Sequence, residues 1–169
     1  SYIYQNSFNN NWSQKEFLKY GKFLAEKLPK YPEDRMVKIN NSKNNKIRIA
    51  FLSSDLRASH SVTFFLKTIL KNYNKKEYEI YLYLNNKEQT YDNDTKSFIA
   101  LADETVNISI LSDIQAINLI RKDHINIMFD LMGVTSKNRI TLFKNRLAPI
   151  QVSWCGYCNT TGLNEMDYI

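Results

Sequence analysis

Three polar segments carry the side chains able to do chemistry in this chain. The first, Ser53 to Ser61, reads S-S-D-L-R-A-S-H-S and gathers the carboxylate of Asp55, the guanidinium of Arg57 and the imidazole of His60. An imidazole with an unperturbed pKa of about 6.5 suits proton transfer near neutrality, and backbone N–H groups at a helix start attract negative charge. On spacing alone, an ordinary solvated helix-start residue is the plainer reading of His60. The second segment, Gly133 to Arg139, reads G-V-T-S-K-N-R. Gly133 permits a tight turn, Thr135 can cap the helix that follows, and Arg139 can grip a carboxylate or phosphate through two parallel N–H bonds. The other reading of Arg139 is a salt bridge inside the fold, to Asp130 or Asp167. Asp130, within an apolar strand, needs such a partner. The third segment, Gly156 to Gly162, reads G-Y-C-N-T-T-G and follows the apolar run Pro149 to Trp154. It offers two threonine hydroxyls, Thr160 and Thr161, beside the open backbone of Gly162; its plainer reading is a Thr-rich turn that ends a strand.

The elements that must position these segments follow from periodicity. Strands are predicted at 47–53, 78–84, 105–108, 125–131 and 149–154, and helices at 62–72, 91–102, 113–123 and 136–145. Ser112 is a good N-cap for the third of these helices, whose apolar face is Ile114, Ile117, Leu119 and Ile120. Strand and helix in regular alternation specify an α/β fold, a Rossmann-like parallel sheet with helices on both faces. Ligands of such sheets bind beyond the carboxyl ends of the strands. All three polar segments follow predicted strands, so they should converge on one edge.

Before the alternating region, residues 1–45 read as a helix and a polar linker, and residues 46–169 as the main lobe. Ser13 with Glu16 forms a capping-box signature, and Phe17, Leu18, Phe23, Leu24 and Leu28 form an apolar stripe after it. Pro29 and Pro32 stop the helix, and K-I-N-N-S-K-N-N-K at 38–46 reads as a solvated connector. No 34-residue internal repeat is visible.

Composition narrows the function classes. A chain of 169 residues suits one compact domain burying roughly 70 % of its unfolded surface. Its net charge of +6 comes mainly from Lys, in a chain also rich in Asn and Ile, three residues that rise together in coding sequences of low G+C content. Neither a dense Lys/Arg stripe nor a nucleic-acid motif is present, so no nucleic-acid partner is expected. With no run of about 18 apolar residues and no signal-peptide pattern at Ser1, the expectation is a soluble, cytoplasmic protein without a membrane partner. The two cysteines form a C-x-x-C, Cys155 to Cys158. A thioredoxin-like redox pair would also follow a strand, but Tyr157 stands where such pairs carry Pro, and the motif lies at the far end of the chain. A zinc site would lack its second ligand pair, since only His60 and His124 remain.

The polar segments also resemble a known family. A-P-I-Q at 148–151, W-C-G-Y at 154–157, T-T-G at 160–162 and M-D-Y-I at 166–169 resemble the O-linked N-acetylglucosamine transferase and SPINDLY-like glycosyltransferases, well over residues 46–169 and loosely over the first 45. Asp130 to Arg139 is similar to another segment of that family. The S-S-D-L-R-A-S-H loop is similar to the one whose His lines the family's active site, although the family His follows the Asp by four residues and Ser59 holds that position here. Cys158-Asn159 likewise replaces the family's common Pro-Gly. The resemblance implies the first lobe of a two-lobed GT-B type glycosyltransferase, inverting and metal-independent, with tetratricopeptide repeats before Ser1 and a second lobe after Ile169, so that the chain reads as a fragment. It implies transfer of a sugar from UDP-N-acetylglucosamine, or GDP-fucose as in some SPINDLY-like members, to Ser/Thr hydroxyls of protein or peptide acceptors, with no cofactor. It makes His60 catalytic and places Asp55, Gly133, Thr135, Arg139, Tyr157, Thr160, Thr161 and Gly162 against the substrate. Asp92-Asn93-Asp94 fits the D-x-D of metal-dependent transferases of another fold, but lies at a predicted helix start, where carboxylates are favoured anyway. A module of the same fold that binds a peptide or protein without chemistry is the alternative.

Overall fold

The computed structural model describes residues 12–32 and 46–169. The connector expected at 38–46 therefore lies, but for Lys46, outside the described residues. The described elements run α1 (Gln14–Glu26), β1 (Ile47–Ser53), α2 (Ser61–Asn72), β2 (Tyr78–Leu84), a 3-10 turn (Glu88–Thr90), α3 (Asn93–Leu101), β3 (Glu104–Asn107), α4 (Asp113–Lys122), β4 (Ile127–Asp130), α5 (Ile140–Lys144) and β5 (Ile150–Ser153). The strands form one parallel sheet in the order β3-β2-β1-β4-β5. The chain thus builds outward from β1 in one direction, returns, and builds outward in the other. Right-handed crossovers require the helices to change face at that reversal.

They do. Ile80, Leu82 and Leu84 of β2 and Phe51 of β1 point into a core shared with Leu66 and Leu70 of α2 and Phe98 of α3. Ala50, Leu52, Tyr81, Tyr83 and Met128 point the other way, into a core shared with Ile117 and Ile120 of α4 and Leu142 and Phe143 of α5. Toward their carboxyl ends, where both faces are covered, β1 and β2 run through residues 50–52 and 80–84 as apolar and aromatic residues without alternation with charge.

Local signals set the helix starts. Ser13 with Glu16 and Ser112 with Gln115 both form reciprocal capping boxes, and Asp92 caps α3 through the Thr95 N–H. The face of α1 is corrected, however. Phe17, Gly21 and Ala25 are its buried residues, whereas Leu18 and Phe23 are 42 % and 48 % exposed. A glycine lies at the centre of the contact because the partner is backbone. An added Cβ on Gly21 would sit 3.1 Å from the Gly162 Cα. Beyond the helix, the Asn145 amide donates to the Pro29 carbonyl and accepts the Tyr31 N–H, which ties the following residues to the lobe.

The helix expected at 136–145 is also corrected: α5 begins only at Ile140, and Thr135 does not cap it. Thr135 instead folds back, its N–H and hydroxyl both donating to the Met132 carbonyl, and Lys137 takes a left-handed φ of 60°. Turn chemistry over 131–138 wins against the helical period. Among the described residues no helix is long and apolar enough to cross a membrane.

Candidate functional site

The strand order switches between β1 and β4, and the carboxyl ends at such a switch are the position at which open α/β sheets take ligands. Leu52, Asp130 and Ser153 lie side by side across β1, β4 and β5, so the three polar segments leave the sheet from neighbouring strand ends. Cross-links between them are direct. The Ser54 N–H points at the Met132 sulfur at 3.1 Å, and Asn85, after β2, donates its amide to the Lys137 carbonyl at 2.9 Å.

In the first loop the Ser53 hydroxyl accepts the Asp55 N–H at 2.9 Å. His60 then closes the loop as the N-cap of α2 without a side-chain cap bond. Its carbonyl accepts the N–H and the hydroxyl of Thr63, which anchors the backbone and leaves the ring to other work. Nε2 lies 3.9 Å from Asp55 Oδ2, with both side chains partly open to solvent. That separation is too long for a hydrogen bond. His60 Nδ1 is buried and, among the described residues, has no hydrogen-bond partner. Ser59, between Asp55 and His60, adopts a left-handed φ of 59°.

The second loop hangs on Asp130. The expectation that Arg139 or another cation neutralises this carboxylate is corrected: it is 2 % exposed and accepts the N–H groups of Met132 (2.9 Å) and Gly133 (3.1 Å). Burial pushes the carboxyl up to about 7, against the downward pull of those two donors. Gly133 has φ 56°, and a Cβ there would stand 2.4 Å from the Tyr157 Cβ. The second and third loops therefore touch through a space only glycine leaves. Tyr157 is 5 % exposed and packs with Phe17 and Val134, so its ring serves the core.

Arg139 is spent within the lobe. Nε and Nη2 engage the Asp113 carboxylate at 3.0 and 2.8 Å, Nη1 donates to Asn85 Oδ1 and the Ile108 carbonyl, and Nη2 also donates to the Leu111 carbonyl. The salt bridge weighed for it exists, but to Asp113 rather than Asp130 or Asp167; Asp167 pairs with Arg146. In the third loop the Thr160 hydroxyl accepts the Gly162 N–H. Thr161 is 4 % exposed, and Gly162, at φ 76°, is pressed against Gly21 of α1. Thr160 alone of these three is left half-buried at the surface. Cys155 and Cys158 are free thiols, and burial pushes the Cys155 thiol up, away from the thiolate that redox chemistry needs.

The structure thus brings Asp55, His60, Gly133 and Thr160 to one edge and turns Arg139, Tyr157, Thr161 and Gly162 to packing. Asn85 and Asp92, which tie the loops to neighbouring elements, carry no local sequence mark of this role, because their partners lie tens of residues away. An open depression of about 590 Å³ lies nearby at the ends of β2 and β3, lined by Lys87, Glu88, Gln89, Asn107, Ser109 and Ile110. It contains none of the titratable residues of the β1/β4 switch.

Comparison with known proteins points the same way. A family model described as glycosyl transferase family 41 matches residues 22–169. The chain is 30 % identical over 128 residues to the probable UDP-N-acetylglucosamine–peptide N-acetylglucosaminyltransferase SPINDLY of Arabidopsis thaliana, a match covering 72 % of this chain and 14 % of that protein. It is 29 % identical over 154 residues to the UDP-N-acetylglucosamine–peptide N-acetylglucosaminyltransferase of Caenorhabditis elegans, covering 89 % of this chain and 13 % of that one. Among solved structures, a mutant of the Thermobaculum terrenum O-GlcNAc transferase superposes with a TM-score of 0.86 at 27 % identity, over 98 % of this chain and 32 % of the other. The chain therefore spans a small part of the length of each of these relatives.

Proposed function

Because the chain belongs to glycosyl transferase family 41, we propose that it supplies the first lobe of a two-lobed, inverting transferase that moves N-acetylglucosamine from UDP-N-acetylglucosamine to Ser or Thr hydroxyls of protein acceptors. The observation that carries this reading is the His60–Asp55 pair, 3.9 Å apart, standing at the β1/β4 switch. In the reaction the imidazole of His60 accepts the proton of the acceptor hydroxyl as its oxygen bonds to the anomeric carbon. The bond from that carbon to the diphosphate breaks on the opposite face, and UDP leaves with the electron pair. Asp55 stabilises the imidazolium formed. Thr160 and the turn at Gly133 offer polar contacts to the sugar.

The names of the Arabidopsis and nematode relatives support this donor and a peptide acceptor, with GDP-fucose the other donor class to test. The saturation of Arg139 supports a second lobe that neutralises the departing diphosphate, since this guanidinium has no donor left for it. Tetratricopeptide repeats in the full-length chain, the absence of a metal requirement and a cytoplasmic location belong to the same proposal. The test is His60→Ala in the full-length protein. It should lower kcat by about 100-fold, the usual share of a general base, while the circular dichroism spectrum stays that of the parent. An undiminished rate would remove His60 from the chemistry and leave it a helix-start residue.

A further inference from the structure

The loop that carries Asp55 and His60 is held from outside by the start of α3. Asp92 Oδ1 accepts the Thr95 N–H at 2.8 Å, an ordinary helix cap. The other carboxylate oxygen, Oδ2, leaves its own helix and accepts the Ala58 N–H at 2.7 Å. Thr95, fully buried, places its hydroxyl 2.6 Å from the Leu56 carbonyl and 3.0 Å from Asp92 Oδ1. Backbone groups on both sides of Arg57 are thus gripped by one helix terminus. Immediately beyond the grip, Ser59 takes φ 59° and His60 opens α2. A non-glycine residue is disfavoured in that conformation and persists there only where its surroundings determine it. Leu56, with no exposed surface, anchors the same stretch in the core beside α2 and α3.

We propose that Asp92 is a positioning residue for the transfer reaction: by holding Ala58 it sets the left-handed turn at Ser59 and with it the place of the His60 imidazole. This rests on His60 being the base proposed above. Asp92 touches no substrate and acts only through the loop. Its effect should therefore fall on kcat, where the geometry of the base matters, more than on the KM for the nucleotide sugar. Both functions of the carboxylate can be separated by substitution. Serine is also a good N-cap, so it keeps the bond to Thr95, but its hydroxyl is one atom too short to reach Ala58 as well. Asparagine keeps the cap and sets an NH2 group against the Ala58 N–H, donor facing donor.

The experiment compares Asp92→Ser and Asp92→Asn in the full-length enzyme, each alone and combined with His60→Ala. Expected are a fall in kcat of about tenfold or more for both single variants, with KM within about threefold, and no further fall when either is added to His60→Ala. Peptides covering residues 54–60 should exchange amide hydrogen at least tenfold faster, while those of α3 stay protected. Unchanged exchange in 54–60 overturns the clamp. So does a loss that simply adds to that of His60→Ala, because Asp92 would then act without His60. A rate undiminished by His60→Ala alone overturns this proposal together with the catalytic reading; intact Asp92 variants beside a strong His60 effect overturn this one only.

Discussion

Arg139 shows how little a residue type says about its task. A guanidinium following a strand of a Rossmann-like sheet is the expected partner of a phosphate, yet its side chain is only 13 % exposed and every one of its nitrogens is engaged by Asp113, Asn85 and two carbonyls. What it does is staple the ends of β2, β3 and β4 together. Replacing it by Gln leaves Asp113 half-buried without a cation and two carbonyls without donors, which should destabilise the fold by about 2–4 kcal/mol. Chemical denaturation reads that loss, and UDP affinity of the full-length protein should stay within about threefold. A large loss of UDP affinity at unchanged stability would return Arg139 to the substrate. His60 presents the opposite case. The family resemblance makes it the catalytic candidate, and the structure places it at the start of α2 with no side-chain cap bond to occupy its ring.

At the scale of elements, the polar loop from Gly156 to Gly162 and helix α1 form one unit. Of the apolar stripe Phe17, Leu18, Phe23, Leu24 and Leu28, Phe17 is buried and Leu24 and Leu28 pack on the cores, but Leu18 and Phe23 face out; the helix turns its Phe17–Gly21–Ala25 side to the lobe, where the third loop offers it bare backbone. Gly162 is required twice over. Its φ is 76°, and a methyl group on it would lie 2.0 Å from the Gly21 carbonyl carbon. Gly162→Ala should therefore cost about 3 kcal/mol, combining a left-handed alanine with overpacking, and should push α1 off the lobe. Limited proteolysis would show it as faster cleavage within residues 12–32, with the sheet still resistant. Equal cleavage rates would mean that α1 is held by other contacts, such as the Asn145 bridge to Pro29 and Tyr31.

For the molecule as a whole, the centre of the sheet carries a pH-sensitive stability term. Asp130, at the end of β4, is buried with two N–H donors and, among the described residues, no cation beside it, and burial raises its carboxyl to about 7. A group whose folded pKa exceeds its unfolded value, here near 4, stabilises the fold through its protonated form. That contribution is complete below about pH 4 and is lost as pH climbs through 7. The unfolding free energy of the wild-type chain relative to Asp130→Asn should accordingly fall between pH 4 and 7.5 and level off above. A difference that stays flat across that range, or rises, would show the carboxylate to be ionised throughout and held by its two donors.

The sequence by itself determined what depends on neighbours along the chain. Runs such as Ile47–Ser53 and Tyr78–Leu84 specify strands, Ser13 and Ser112 with their reciprocal partners start helices, and regular alternation specifies the parallel sheet and the edge on which ligands gather. The family motifs reached the same lobe through residues that are local strings. Only the tertiary structure decided the partners. Arg139 meets Asp113 across 26 residues and Ala58 meets Asp92 across 34, and Gly21 faces Gly162 from the other end of the chain. Each of those pairings depends on backbone positions to within a few tenths of an ångström, set by how the two cores pack. Periodicity, which records only which face of an element is apolar, carries no information at that resolution.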